Sequence, residues 1–173
     1  METPGMTPTL HYQLAPCALG QLLLAASPRG IAWLALGDQP QALCAELLAA
    51  YPDAALCSDG SLHDALTAIQ QYLQAPRHPP ALPLDLTGTP YQQRVWSALQ
   101  EIPCGRTESY SQLAARLGSH PRAVARACAS NRVALLVPCH RVLAADGGLA
   151  GYRWGLARKA ALLASEADGC TME

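Results

Sequence analysis

The 173-residue sequence contains no phenylalanine and a single lysine, Lys159, and neither scarcity points to a function by itself. No stretch approaches the roughly 20 consecutive apolar residues that a bilayer-spanning helix needs, so no membrane span is expected. The opening Met1-Glu-Thr-Pro-Gly5 has neither the basic start nor the apolar centre of a signal peptide. The seven cysteines contain no CxxC pair and no regular spacing, which argues against a disulfide framework or a zinc cage. Reduced thiols in the cytoplasm, with no metal and no cofactor, are therefore the expectation. Internal repeats and low-complexity tracts are absent as well. What is present is a chain half of whose residues are apolar, long enough to bury a core as one domain or two small ones.

The net charge of −1 hides an asymmetry. Residues 1–90 carry two basic side chains (Arg29, Arg77) against seven acidic ones, whereas residues 91–173 carry ten basic against six. A basic half can meet phosphates while the rest of the surface stays soluble. A chance surface excess of this size is also common.

Hydropathy changes period along the chain. Thr9–Ala15, Gly20–Ala26 and Ile31–Leu36 read as short strands separated by turn residues, and 40–51 and 63–73 as helices. Residues 75–83 then hold four prolines in nine positions, which excludes helix and central strand and marks a connection. After it, 90–100, 110–117 and 122–130 have helical spacing, the last two meeting at a Gly-Ser-His turn. The fold expected is α+β. A small N-terminal α/β domain with an antiparallel sheet (1–82) precedes a mainly helical C-terminal domain with a winged-helix-like helix-turn-helix (83–173).

The most reactive-looking element is Pro138-Cys-His-Arg-Val142, inside the apolar run Val133–Val142. A thiol flanked by an imidazole and a guanidinium can be drawn toward thiolate. A buried cysteine in a strand is the plainer alternative. Around it stand Tyr110-Ser-Gln-Leu-Ala-Ala, Arg122-Ala-Val, Cys128-Ala-Ser-Asn131, Gly151-Tyr-Arg-Trp-Gly155 and Arg158-Lys-Ala-Ala-Leu-Leu-Ala-Ser-Glu166. In this order the set resembles the O6-alkylguanine-DNA alkyltransferases, particularly their Ada-like bacterial members, over roughly residues 9–168.

That resemblance implies repair of alkylated double-stranded DNA: an alkyl group leaves O6 of guanine, or O4 of thymine, for Cys139. Because the product is a thioether, which cells neither hydrolyse nor reduce, each molecule would act once. It further implies a relay from Cys139 through a water to His140 and Glu166. Adjacent residues of an extended segment point to opposite faces, so a direct Cys139–His140 bond is not expected. Asn131 would brace the turns on either side of it. Tyr110 would donate to the purine, and Tyr152 would wall the base pocket. Arg122 would fill the stack behind a flipped nucleotide. The segment between Tyr110 and Arg122 is shorter than in Ada-like members, so Arg126 competes for that role. A phosphate contact by Arg122, a helix-packing Tyr110 and a solvated Glu166 are the plainer readings. Arg153 stands where relatives carry a small hydroxyl residue, and would narrow or charge the pocket mouth. Arg141 reads as a scaffold ion pair. The competing function is transcriptional regulation of an alkylation response. In the family this resembles the property of a separate N-terminal module with four zinc-binding cysteines, and no such cluster occurs here. Nothing indicates an oligomer, so a monomer is expected.

Overall fold

The computed structural model describes residues 9–76 and 78–170; the Met1–Gly5 segment considered above lies outside the described residues. Strands β1 (Thr9–Cys17), β2 (Gly20–Ser27) and β3 (Gly30–Gly37) form two successive antiparallel hairpins. Each runs past the limits set by hydropathy, because turn residues such as Cys17, Ser27 and Gly30 still pair across the ladder. Leu22, Leu23, Leu24 and Ala25 on β2 and Trp33, Leu34 and Ala35 on β3 are all buried, making these two strands the centre of the core. Helix α1 (Pro40–Ala50) packs on β2 and β3, and α2 (His63–Gln74) on β1.

A fourth strand, β4 (Ala55–Cys57), pairs with β1 in parallel and gives the order β3-β2-β1-β4. The expected sheet was antiparallel throughout; the exception arises because α1 acts as a crossover from β3 to β4. Three residues are too few to show a strand period.

The proline-rich connection lies directly against β3. Ile31 N–H donates to the Pro83 carbonyl and Asp85 N–H to that of Ile31. Gly30 permits this approach: a Cβ there would stand 2.5 Å from the Pro83 oxygen, and its φ is 151°.

Helices dominate the rest: α3 (Pro90–Gln100), α4 (Tyr110–Leu117), α5 (Pro121–Ala129) and α6 (Leu156–Cys170). Capping boxes start α3 (Thr89 with Gln92) and α4 (Ser109 with Gln112), each worth about 1 kcal/mol. Gly118, in the left-handed region at φ 62°, ends α4, and Pro121 opens α5 two residues beyond Ser119. Trp96 Nε1 donates to the Ala127 carbonyl and ties α3 to α5. Beside this helix-turn-helix, β5 (Glu108–Ser109) and β6 (Val142–Leu143) form a small parallel ribbon. The architecture is α+β, with an antiparallel-rich sheet preceding the helical part, as the change in periodicity predicts. Among the described residues no helix is long and apolar enough to cross a membrane.

One expectation fails. Val133–Arg141 is not a strand, and pairing resumes only at Val142. After Leu34 N–H donates to the Arg132 carbonyl and Ala134 N–H to that of Leu34, the chain coils through Leu135 at φ 73° into a single 3-10 turn, Cys139–Arg141. Pro138 offers no N–H to a ladder. The Asn131 side chain occupies the Val133 N–H and the Val137 carbonyl that a ladder would use. The cysteines also depart in part from expectation: Cys17, Cys44, Cys57, Cys128 and Cys139 are free thiols, but Cys104 is disulfide-bonded.

Candidate active site

The coiled segment sets Cys139 at the floor of a cavity of about 340 Å³, whose walls include Tyr110, Ala125, Cys128, Gly151, Tyr152 and Arg153. That volume lies in the range of small-molecule sites. Asn131, only 1% exposed, holds the floor with three bonds. Its Oδ1 accepts from Val133 N–H (2.9 Å), and its Nδ2 donates to the Val137 carbonyl (2.9 Å) and to Cys139 Sγ (3.3 Å). A left-handed non-glycine residue such as Leu135 costs about 1–3 kcal/mol and persists only where surroundings over-determine it; the Asn131 amide supplies that constraint. Ala150, at φ 59°, is a second such residue and also lines the cavity.

Burial pushes the Cys139 thiol up from its ordinary value; the Asn131 amide and the charges of Lys159 and Arg153 oppose the shift without cancelling it. The resting sulfur is a neutral thiol that carries groups suited to stabilising a thiolate. Its sequence neighbours are not among those groups. Neither His140 nor Arg141 hydrogen-bonds the sulfur, so the polarising roles read from the pentapeptide pass to Asn131, Lys159 and Arg153.

Both neighbours converge instead on Glu166, brought up by α6 and itself 2% exposed. His140 Nε2 lies 2.6 Å from Oε1 and 3.1 Å from Oε2, and Arg141 Nε donates to the same oxygens at 2.9 and 3.0 Å. Arg141 also donates to the Ile102 carbonyl and the Tyr72 hydroxyl, knitting α2 and the end of α3 to the site. Burial by itself would raise the Glu166 carboxyl, but the bonds from His140 and Arg141 prevail and hold it below its ordinary value. Burial keeps His140 below its ordinary value as well, with Glu166 pulling the other way. An ionised Glu166 fixes the proton on Nε2, which leaves Nδ1 as the basic nitrogen. Nδ1 is buried and has no hydrogen-bond partner among the described residues. The histidine therefore presents an unused base on the side away from the carboxylate.

Tyr152 stacks edge-on against His140 (6.4 Å) and Trp154 (5.3 Å). Tyr110 begins α4 at the cavity wall, and burial pushes its phenol to about 12, so it stays a donor. Arg153 is not free at the mouth. It donates to the Asn131 carbonyl at 2.8 Å and lies over the Trp33 and Trp154 rings at 5.1 and 5.5 Å. Arg122 and Arg126 are exposed on α5, with no side-chain partner among the described residues. Arg122 shares a helix face with the wall residues Ala125 and Ala129, at spacings of three and seven.

Sequence reasoning missed Lys159. This one lysine is fully buried and donates to the carbonyls of Val142, Leu149 and Gly151, clipping the end of the Cys139 segment and the cavity wall to α6. The available signal was its spacing: Lys159, Leu162 and Glu166 fall at i, i+3 and i+7, so two charged residues ride the buried stripe of one helix.

Comparison with known proteins matches both halves of the chain to one family. Residues 10–86 fit the family model described as 6-O-methylguanine DNA methyltransferase, ribonuclease-like domain, and residues 90–168 the DNA binding domain of the same name. The bifunctional transcriptional activator/DNA repair enzyme Ada of Escherichia coli is 44% identical over 96% of this chain, which spans 51% of that protein's length. The chain thus covers about half of such a relative. The inducible methylated-DNA–protein-cysteine methyltransferase of Bacillus subtilis is 34% identical over 90% of this chain and 89% of its own. Among solved structures, Mycobacterium tuberculosis O6-methylguanine methyltransferase superposes with a TM-score of 0.77 at 32% identity, covering 95% of this chain and 96% of its own. The Mycobacterium tuberculosis OGT in complex with DNA gives 0.79 at 34% identity, covering 92% and 94%. With both of its halves matched by the two models, and a relative of similar length covered nearly end to end, this chain belongs to the 6-O-methylguanine DNA methyltransferase family.

Proposed function

We propose that this chain repairs DNA by accepting the alkyl group of O6-alkylguanine on Cys139 and that each molecule acts once. The observation that carries the reading is the paired arrangement at the cavity floor: a sulfur that receives the Asn131 amide, beside a histidine whose unpartnered Nδ1 is backed by Glu166. The lesion enters as a nucleotide flipped from the stack, at a cost of a few kcal/mol. The Cys139 proton passes through a water to His140 Nδ1, and Glu166 stabilises the imidazolium. Sulfur attacks the alkyl carbon, the C–S bond forms as the C–O bond breaks, and the electron pair stays on the guanine oxygen. The Tyr110 hydroxyl supports that charge by donating to the purine ring, and Tyr152 walls the base.

In this reading residues 1–82 form a supporting domain and 83–173 the DNA-binding and acceptor domain. Arg153 is a pin between Asn131 and the two indoles more than a wall of the pocket mouth. Backbone contacts dominate DNA affinity, so binding weakens as salt rises and shows little sequence preference. Mixing the protein with a duplex containing O6-methylguanine should add one methyl to its intact mass and stop at one equivalent. Multiple turnovers, or tight binding to one undamaged sequence with no mass change, would sink the proposal; the latter result would favour a regulator.

Arg122 is assigned to the gap in the stack because it lies on the cavity face of α5. Arg122→Ala should slow repair of duplex DNA far more than transfer from a free alkylated base, where there is no stack to fill. A mere phosphate contact would give a modest loss that shrinks at higher salt. If Arg126→Ala shows the duplex-selective defect and Arg122→Ala does not, the assignment moves one turn along the helix.

A further inference from the structure

A second cluster lies on the β4 edge of the sheet, with β1 and β2 between it and the β3 edge that meets the Cys139 segment. His11 on β1 and Cys57 on β4 are register partners in the parallel pair, so their side chains leave the sheet on one face a single interstrand spacing apart. Asp59 follows in the next turn. Ser61 N–H holds its Oδ1 at 3.0 Å, and its Oδ2 stands 3.3 Å from His11 Nδ1. That nitrogen is buried, and its Asp59 contact is longer than a well-formed hydrogen bond. The imidazole nitrogen, the Cys57 sulfur and the Asp59 oxygen all lie within 4.8 Å of one another, and Cys57 is a free thiol.

The 3.3 Å between His11 Nδ1 and Asp59 Oδ2 matches one edge of a tetrahedral metal site, and the Cys57 sulfur lies within 4.8 Å of both atoms. Zinc bonds of about 2.0–2.1 Å to nitrogen and oxygen and about 2.3 Å to sulfur require an N···O edge of about 3.3 Å and an N···S edge of about 3.6 Å. A simple ion pair between His11 and Asp59 would account for two of the groups but not for the thiol facing them.

We propose that His11, Cys57 and Asp59 form a three-ligand site for a thiophilic divalent ion of the zinc class, with the fourth position left to water. Thiolate and imidazole select such an ion over magnesium or calcium. Bound there, it fastens the three-residue β4 to β1, a pairing otherwise held by few backbone bonds. Cysteine spacing gives no hint of the site because it uses one cysteine and relies on strand register to bring up the histidine.

Cobalt(II), added to the full-length reduced protein, is the probe. One equivalent should produce thiolate-to-cobalt charge-transfer absorption together with the visible bands of a tetrahedral centre, and zinc should bleach both. Cys57→Ser should remove the charge-transfer absorption. Asp59→Asn, an exposed change that leaves the fold alone, should weaken binding by about a hundredfold or more, since even loss of an outer-shell partner costs about 10–100-fold. Zinc should raise the thermal midpoint of the parent and not of Cys57→Ser. Absence of the bands in the parent, or the same bands in Cys57→Ser, would overturn the site.

Discussion

Cys139→Ser should leave the protein folded and able to bind an alkylated duplex, yet no methyl group should appear on it. The serine oxygen fits the same space beside Asn131, so the turn keeps its bonds to Val133 and Val137. Chemistry is what it loses. An alkylated guanine oxygen leaves poorly, and its carbon needs a soft nucleophile whose proton can be removed at neutral pH; a hydroxyl is neither soft nor acidic enough. The serious rival acceptor is Cys128, which lines the same cavity and is also a free thiol. Burial pushes it to about 12, and no group among the described residues donates to its sulfur. Cys139 has the Asn131 amide on its sulfur and His140 as its neighbour. Cys128→Ala should therefore keep full single-turnover transfer. A methylated peptide mapping to Cys128 in the parent, or a mass increase in Cys139→Ser, would contradict the assignment.

Helices α3, α4 and α5 were legible because their ends are written in the chain, whereas α6 was not read from hydropathy. Thr89-Pro90 and Ser109 start α3 and α4, Gly118 stops α4 and Pro121 opens α5. These are local rules, and local residues satisfy them. The Cys139 segment obeys no local rule. Its hydropathy is that of a buried strand, but Asn131, reaching ahead by as many as six residues, consumes the backbone groups a strand would need. Burial of a run says nothing about which partner takes its hydrogen bonds. β4 was illegible for another reason: three residues pair with β1 only because α1 returns the chain to that edge.

The same contrast runs through the candidate site. The Pro138–Val142 motif marked where a reactive thiol would sit, and the order of the surrounding motifs marked its companions. What each companion faces depends on α6, which supplies Lys159 and Glu166 from a stripe that otherwise reads as core. A charged residue on such a stripe is a signal only when its opposite number is known. Glu166 has Arg141, and Lys159 has three carbonyls that carry no side-chain signature at all.

Glu166→Gln should cost stability and rate together, and a second substitution should separate them. The amide can accept from one of His140 and Arg141 but presents N–H to the other. Arg141 is left as a buried cation with no counter-charge, a change worth about 3–5 kcal/mol when one partner of a buried pair is removed. His140 loses the negative charge that supports its basicity and stabilises the imidazolium, so Nδ1 becomes a much weaker base. Loss of general-base assistance is worth about 10²–10⁴-fold in rate, and transfer in Glu166→Gln should fall into that range. Combining it with Arg141→Met removes the stranded charge. Most of the lost stability should return in the double variant while transfer stays slow, an outcome that a purely structural role for Glu166 does not allow. Recovery of rate along with stability would show that Glu166 only holds the fold. Acid titration of the parent supplies a further check. Glu166 and His140 both sit below their ordinary values when folded, so the unfolded chain takes up their protons first. Stability should accordingly be highest near neutrality and decline as pH falls through the ordinary histidine range. It should decline again below the ordinary carboxylate range as Glu166 protonates. Urea midpoints across that range should show a smaller lower decline in the double variant than in the parent, Asp59 being depressed in both.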